Sequence, residues 1–229
     1  KTFRNNLEVL TDSYKKTKKV TDTKVSVVAG MRTVFKKGTE EQILFMLDKL
    51  MEINDKRFAD DVELLLEHPS NKVKLSAIQN LYFLNSKSMT AEVSELLKVD
   101  DRELTIATLA YILSFAHKDK SFIFDAYLEH SNERIATAAL YCLARAAKNN
   151  YSLKQRYSLL DRISLALKTI ASDQKDLPYV ASVIEILGVA NLPIFHSRLV
   201  AFLQHENEEI VKTAIKAIGT ATDPEMVQH

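Results

Sequence analysis

Residues 70–81 read Ser-Asn-Lys-Val-Lys-Leu-Ser-Ala-Ile-Gln-Asn-Leu, and this stretch decides the fold because its pattern returns along the chain. Its key positions are Ser70, Val73, Ala77, Ile78 and Leu81. A step of 31 residues gives Asp101, Leu104, Thr108, Leu109 and Ile112, and a second gives Asn132, Ile135, Ala139, Leu140 and Leu143. A step back gives Thr39, Gln42, Met46, Leu47 and Leu50. A jump of 44 reaches Asp176, Tyr179, Val183, Ile184 and Leu187, and 31 more reach Asn207, Ile210, Ala214, Ile215 and Ile218. The first column (Thr, Ser, Asp, Asn, Asp, Asn) contains only residues that accept hydrogen bonds from the free N–H groups of a helix start. The other columns lie 4, 1 and 3 residues apart, which is one face of an α-helix.

Self-similarity at this period predicts stacked two-helix units. The expected map is a basic N-terminal helix over about 2–18, then pairs at about 22–37 with 40–53, 58–67 with 71–84, 90–98 with 102–116, 120–129 with 133–147, 153–172 with 177–190, and 194–204 with 208–220. The insertion around 148–157 is expected to lengthen the fifth first-helix. No such pair buries its apolar face alone, so stacking is required. The expected class is all-α, a right-handed α-solenoid of six helix pairs. A linker or helix occupies 1–21, and one repeat domain covers 22–229. Four Gly and four Pro in 229 residues argue independently against a β-sandwich or barrel, which needs turn residues at short intervals.

The caps and columns resemble the HEAT repeat, in its short HEAT-like form, over about 22–222. Asn207-Glu-Glu-Ile-Val-Lys-Thr-Ala-Ile-Lys-Ala-Ile-Gly219 is similar to that repeat's second helix, and Leu66–Leu81 is similar too. The position after the aliphatic, often Arg in that family, here reads Lys74, Thr105, Ala136 and Val211. The resemblance implies a binding or regulatory scaffold without catalysis, with a protein as partner. A narrower resemblance rests on the order of a basic helix, Asp22-Thr23, Leu-Asp-Lys-Leu at 47–50 and Leu-Leu-Glu-His-Pro-Ser at 65–70. It is to the HEAT-type segment that follows the membrane part of some bacterial transporters related to ATP/ADP carriers. That likeness implies a cytosolic segment of a larger membrane-anchored protein, whose other domains would be partners. The alternative is a freestanding adaptor holding a peptide or helix in its concave face. A third reading, a HEAT-like DNA-repair glycosylase, is disfavoured below.

Charge is uneven. Residues 1–37 carry ten Lys/Arg against three acidic residues, a net +7, which leaves −6 for 38–229. The run Tyr14-Lys-Lys-Thr-Lys-Lys19 makes Lys15, Lys16, Lys18 and Lys19 candidate contacts with an anionic membrane surface, at about 1 kcal/mol each. No run approaches the ~18 apolar residues of a membrane span. The chain opens at Lys1 and closes just after Asp223-Pro224-Glu225, which reads as another helix start, so a fragment of a longer protein is expected. Cys142 is the only cysteine, which fits a reducing, cytoplasmic setting.

Candidate chemistry is sparse, and no cofactor or metal is expected. His68, His130 and His205 each stand two residues before a cap. Helices in successive repeats lie about 10 Å apart, so His68 and His130 are expected too far apart to share a metal at about 2 Å. A turn histidine bonding local backbone is the expected role. Cys142 reads as a packing residue. Acidic pairs such as Asp60-Asp61 read as dipole partners. No nucleophile elbow, phosphate loop or metal-helix motif occurs.

The second helices should line the concave side. Their positions opposite the buried columns include Phe45, Gln79, Phe83, Arg134, Ala138, Tyr141, Arg145, Ser182, Glu185 and Lys216. The full face has four basic and six acidic residues. It therefore lacks the basic track that nucleic acid requires, and no nucleic-acid partner is expected. Phe45, Gln79, Phe83, Tyr141, Arg145 and Lys216 are the candidate partner contacts, because aromatics and Arg are enriched at interfaces.

Overall fold

The computed structural model describes residues 27–84, 88–116, 121–172 and 176–221. Among these residues there is helix and turn and no strand. The basic segment, and with it Lys15, Lys16, Lys18 and Lys19, lies outside the described residues. The architecture is an α-solenoid of helix pairs, and the chain divides into two compact units, Lys1–Glu92 and Val93–His229.

In the N-terminal unit, α1 (Val27–Lys37) pairs with α2 (Glu40–Ile53). A 3-10 turn (Lys56–Phe58), α3 (Ala59–Glu63) and a second 3-10 turn (Leu64–Glu67) then lead to α4 (Asn71–Leu84). The second helices α2 and α4 pack together, and α3 closes on α4. Met46, Leu47, Leu50, Ala77, Ile78 and Leu81 are buried as their columns predict. Phe35 meets Phe58 edge to face at 6.1 Å, and Arg32 Nε donates to Asp61 at 2.9 Å, tying α1 to α3.

In the C-terminal unit the second helices are α6 (Arg102–Phe115), α8 (Glu133–Ala147), α11 (Leu177–Ala190) and α13 (Glu208–Thr220). The helices between them are α7 (Ser121–Tyr127), α9 (Tyr151–Arg156), α10 (Leu159–Ser172) and α12 (His196–Ala201). α6, α8, α11 and α13 pack one on the next, and α7, α10 and α12 lie against the second helix of their own pair. A short helix α5 (Thr90–Ser94) crosses the division and runs into the 3-10 turn Glu95–Lys98. One continuous core runs from Leu97 through Leu109, Leu143, Ile184 and Ala214 to Ala221.

All six caps form. The side chain of Thr39 accepts from Gln42 N, Ser70 from Val73 N, Asp101 from Leu104 N, Asn132 from Ile135 N, Asp176 from Tyr179 N and Asn207 from Ile210 N. Thr39 and Gln42 complete a reciprocal capping box, which satisfies two orphan donors at once. The histidines complete the turns before three of these caps. The backbone N–H of Ser70, Asn132 and Asn207 donates to Nδ1 of His68, His130 and His205 at 3.1, 3.0 and 3.0 Å. Each ring therefore fixes the chain just ahead of its helix.

Two expectations are corrected. The insertion does not lengthen one helix over 153–172. It folds into two, α9 and α10, broken at Ser158, whose φ of 46° is left-handed. Such a backbone costs a non-glycine residue about 1 kcal/mol or more. Two bonds hold the break: buried Tyr157 donates its hydroxyl to Ser121 O at 3.0 Å, and Arg162 Nε donates to Tyr157 O at 3.0 Å. Ala138 and Ser182, placed by periodicity on the open face, are only 3% and 5% exposed. Helix α8 is packed between α6 and α11, and Ser182 is bonded by an arginine from two second helices away.

Candidate partner-binding face

Helix α8 packs against both α6 and α11 and so lies between them. Arg102, the first residue of α6, nevertheless reaches α11 directly. Its Nε donates to Ser182 Oγ at 2.6 Å, and its Nη2 pairs with the Glu185 carboxylate. Ser182 in turn donates to Pro178 O at 2.8 Å, which orients its hydroxyl. The first second-helix of this unit is thus tied directly to its third.

A second arginine binds neighbouring repeats more deeply. Arg134, in the first turn of α8, donates to Leu97 O at 3.0 Å and to Thr105 Oγ1, with Asp101 O at 3.5 Å. Its Nε lies 3.1 Å from an Asp100 carboxylate oxygen. Thr105 on α6 is thus met by a guanidinium from the next second helix, α8. Sequence reasoning missed both arginine links, although a signal existed. A cation in a helix's first turn opposes the macrodipole, so Arg102 and Arg134 each needed an answering partner elsewhere.

Of the predicted contacts, Tyr141 and Arg145 lie on α8 and Lys216 on α13. Arg145 and Lys216 are exposed and Tyr141 is half-buried. Burial raises the pKa of the Tyr141 hydroxyl most; the Glu185 carboxylate adds to the rise, while Arg145 and Arg102 oppose it. Tyr141 therefore sits in one electrostatic cluster with Arg102, Arg145 and Glu185. Arg145 makes no ion pair among the described residues, unlike Arg102. The remaining predicted contacts belong to the N-terminal unit. Phe45 is half-buried, with the Lys49 ammonium 5.8 Å from its ring centre. Gln79 is exposed. Phe83 is 52% exposed and packs edge to face on Tyr82 at 5.4 Å.

Cys142 is buried on α8, its Sγ 3.9 Å from Ile106 O. Burial pushes its thiol up to about 12, so the nucleophilic thiolate is suppressed at neutral pH. Among the described residues no group of three or more His, Cys, Asp or Glu is placed to hold a metal ion. No helix among them is long and apolar enough to cross a membrane.

Fold and face together define the class: an α-helical repeat protein built from capped two-helix units. No protein-family model and no curated protein matches the sequence. Among solved structures, a designed armadillo repeat protein in complex with the peptide (KR)4 is 16% identical, covers 86% of this chain and 100% of its own, and superposes with a TM-score of 0.39. Computationally designed armadillo repeat proteins for modular peptide recognition are 15% identical, with coverage of 83% and 98% and a TM-score of 0.37.

Proposed function

We propose that the chain is a non-catalytic helical-repeat scaffold that holds a peptide or helix of a protein partner. The observation that carries this reading is Arg145, an exposed guanidinium with no ion pair among the described residues, beside the half-buried Tyr141. Aromatic and arginine side chains in such a setting are the usual anchors of protein interfaces. Exposed Lys216 adds a second cation, so the favoured partner segment is acidic. Phe45, Gln79 and Phe83 serve the same purpose on the N-terminal unit. A random-peptide display selection against the immobilised protein tests the reading. Enriched peptides should be rich in Asp and Glu, and Arg145→Glu and Lys216→Glu should each weaken them about tenfold or more, the scale of one lost charge contact. Neither substitution should lower the melting temperature. Peptides that bind both variants as tightly as the parent would reject the assignment.

The lysine run supports a second reading, in which the chain is the cytosolic segment of a larger, membrane-anchored, transporter-like protein and meets its other domains. Lys15, Lys16, Lys18 and Lys19 would then face an anionic leaflet. The expected result is co-sedimentation with phosphatidylserine/phosphatidylcholine vesicles that fades as salt is raised. It should be lost when the four lysines become glutamine. Equal sedimentation of parent and variant removes the membrane role.

A further inference from the structure

One column of the repeat changes character at its last member. Of the five earlier members of this column, Leu47, Ile78, Leu109 and Ile184 are buried and Leu140 is partly buried, whereas Ile215 is 58% exposed. Helices α11 and α13 correspond at a spacing of 31 residues: Val180 with Val211, Ile184 with Ile215, Leu187 with Ile218 and Gly188 with Gly219. On α11 these residues recur at helical spacing and are buried, and Gly188 among them lies against α13. A Cβ placed on Gly188 would lie 2.8 Å from both the Cβ and the carbonyl oxygen of Ala217, and 2.9 Å from its Cα. Only a hydrogen fits there, and its absence of bulk lets the two helices close up. On α13, a Cβ at Gly219 would meet nothing within 4 Å. Helix α13 thus repeats the α11 pattern with isoleucine in place of leucine, and of its four positions Ile215 and Gly219 are exposed while Val211 and Ile218 are partly buried.

We propose that the outer face of α13 is a docking surface for one further α-helix of the repeat type. That helix presents an aliphatic residue and two alanines at the spacing of Ile210, Ala214 and Ala217, with its last alanine seated on Gly219. The α11–α13 interface defines this occupant, because there Ala217, on a helix whose Ile210 and Ala214 are also buried, lies against Gly188. A second copy of the chain cannot supply the seam through its own α13. Its Ile210, Ala214 and Ala217 are already buried, and freeing them would dismantle the packing on α11. Arg145 and Tyr141 lie on α8, away from this surface, while Lys216 adjoins Ile215 on α13, so Arg145→Glu is the substitution that separates a failure of the partner-binding reading from a failure of this proposal.

The test inserts a second copy of residues 191–221 between Ala221 and Thr222 of the full chain and follows thermal unfolding. The copy should add helical circular dichroism in proportion to its length and raise Tm by about 2–4 °C, the shift expected per kcal/mol for a chain of this size. Two substitutions locate the contact. Ile215→Lys should leave the Tm of the 229-residue chain unchanged and abolish the gain in the extended one. Gly219→Ala should not lower Tm in the 229-residue chain, where it meets open space, and should lower it by several degrees in the extended chain. A copy that adds no helical signal overturns the proposal. So does Gly219→Ala with the same effect in both chains. A drop in Tm on Ile215→Lys in the 229-residue chain would show that the face is already covered. A parent dimer made monomeric by Ile215→Lys, read by sedimentation velocity, would assign the surface to a second copy instead.

Discussion

Gly188→Ala should destabilise the protein by about 2 kcal/mol, although alanine is the better helix former by about 1 kcal/mol. The reversal follows from what the new methyl group would meet. Its nearest neighbours are the Cβ, Cα and carbonyl oxygen of Ala217, all within 2.9 Å, and two of these are backbone. No side-chain rotation relieves the overlap, so α13 must move as a body. Its buried Ile210, Ala214 and Ala217 would then lose close contact with α11. Overpacking of this kind costs about 1–3 kcal/mol, and the small gain in helix propensity offsets only part of it. Urea unfolding should show a lower midpoint at an unchanged m-value. Adding Ala217→Gly removes one of the three clashing atoms and should recover part of the loss. Gly219→Ala is the internal control, with an expected change between zero and about 0.5 kcal/mol of stabilisation. Equal stability of Gly188→Ala and the parent would disprove the close approach of α11 and α13.

Arg134→Ala should cost about 3 kcal/mol, more than a surface ion pair can explain. The partner that looks like a salt bridge, Asp100, is almost fully exposed, whereas the Arg134 side chain is 17% exposed. Solvent-exposed pairs contribute about 0–1 kcal/mol. The larger share comes from Leu97 O and Thr105 Oγ1, which lose a charged donor; Thr105 is fully buried. Hydrogen bonds to charged groups are worth about 1.5–3 kcal/mol, and an acceptor left without a partner adds to the loss. The loss should persist in molar salt, and Asp100→Asn should change stability by less than about 0.5 kcal/mol. Arg134→Lys should recover only part, because an ammonium cannot present the planar fork that serves several acceptors at once. Amide exchange in the first turn of α6 should accelerate in Arg134→Ala before the rest of the helix is affected. A stability loss that vanishes in high salt would return the role to the Asp100 pair.

The helix starts were legible because each is settled within three residues. A Thr, Ser, Asp or Asn side chain closes on a backbone N–H of its own helix, and no distant residue is needed. The third column was legible for a related reason: Met46, Ala77, Thr108, Ala139, Val183 and Ala214 recur in phase and are all buried. The candidate contacts were read from the same periodicity, which finds a face but not what crosses it. Ala138 and Ser182 show the limit. Their register points outward, yet both are buried, and Ser182 is bonded by Arg102, which reaches 80 positions along the chain to meet it. The break at Ser158 was equally hidden, since it depends on Tyr157 reaching Ser121.

The sequence by itself determined the helices, their caps and the positions able to form a core, since these follow from hydrogen bonds and periodicity inside single segments. Tertiary structure alone decided which of two matching glycines is a contact. Gly188 and Gly219 occupy the same place in the same pattern, yet one lies against Ala217 and the other faces open space. The difference is whether a neighbouring helix is there, and a periodic sequence states the same surface whether or not anything lies against it.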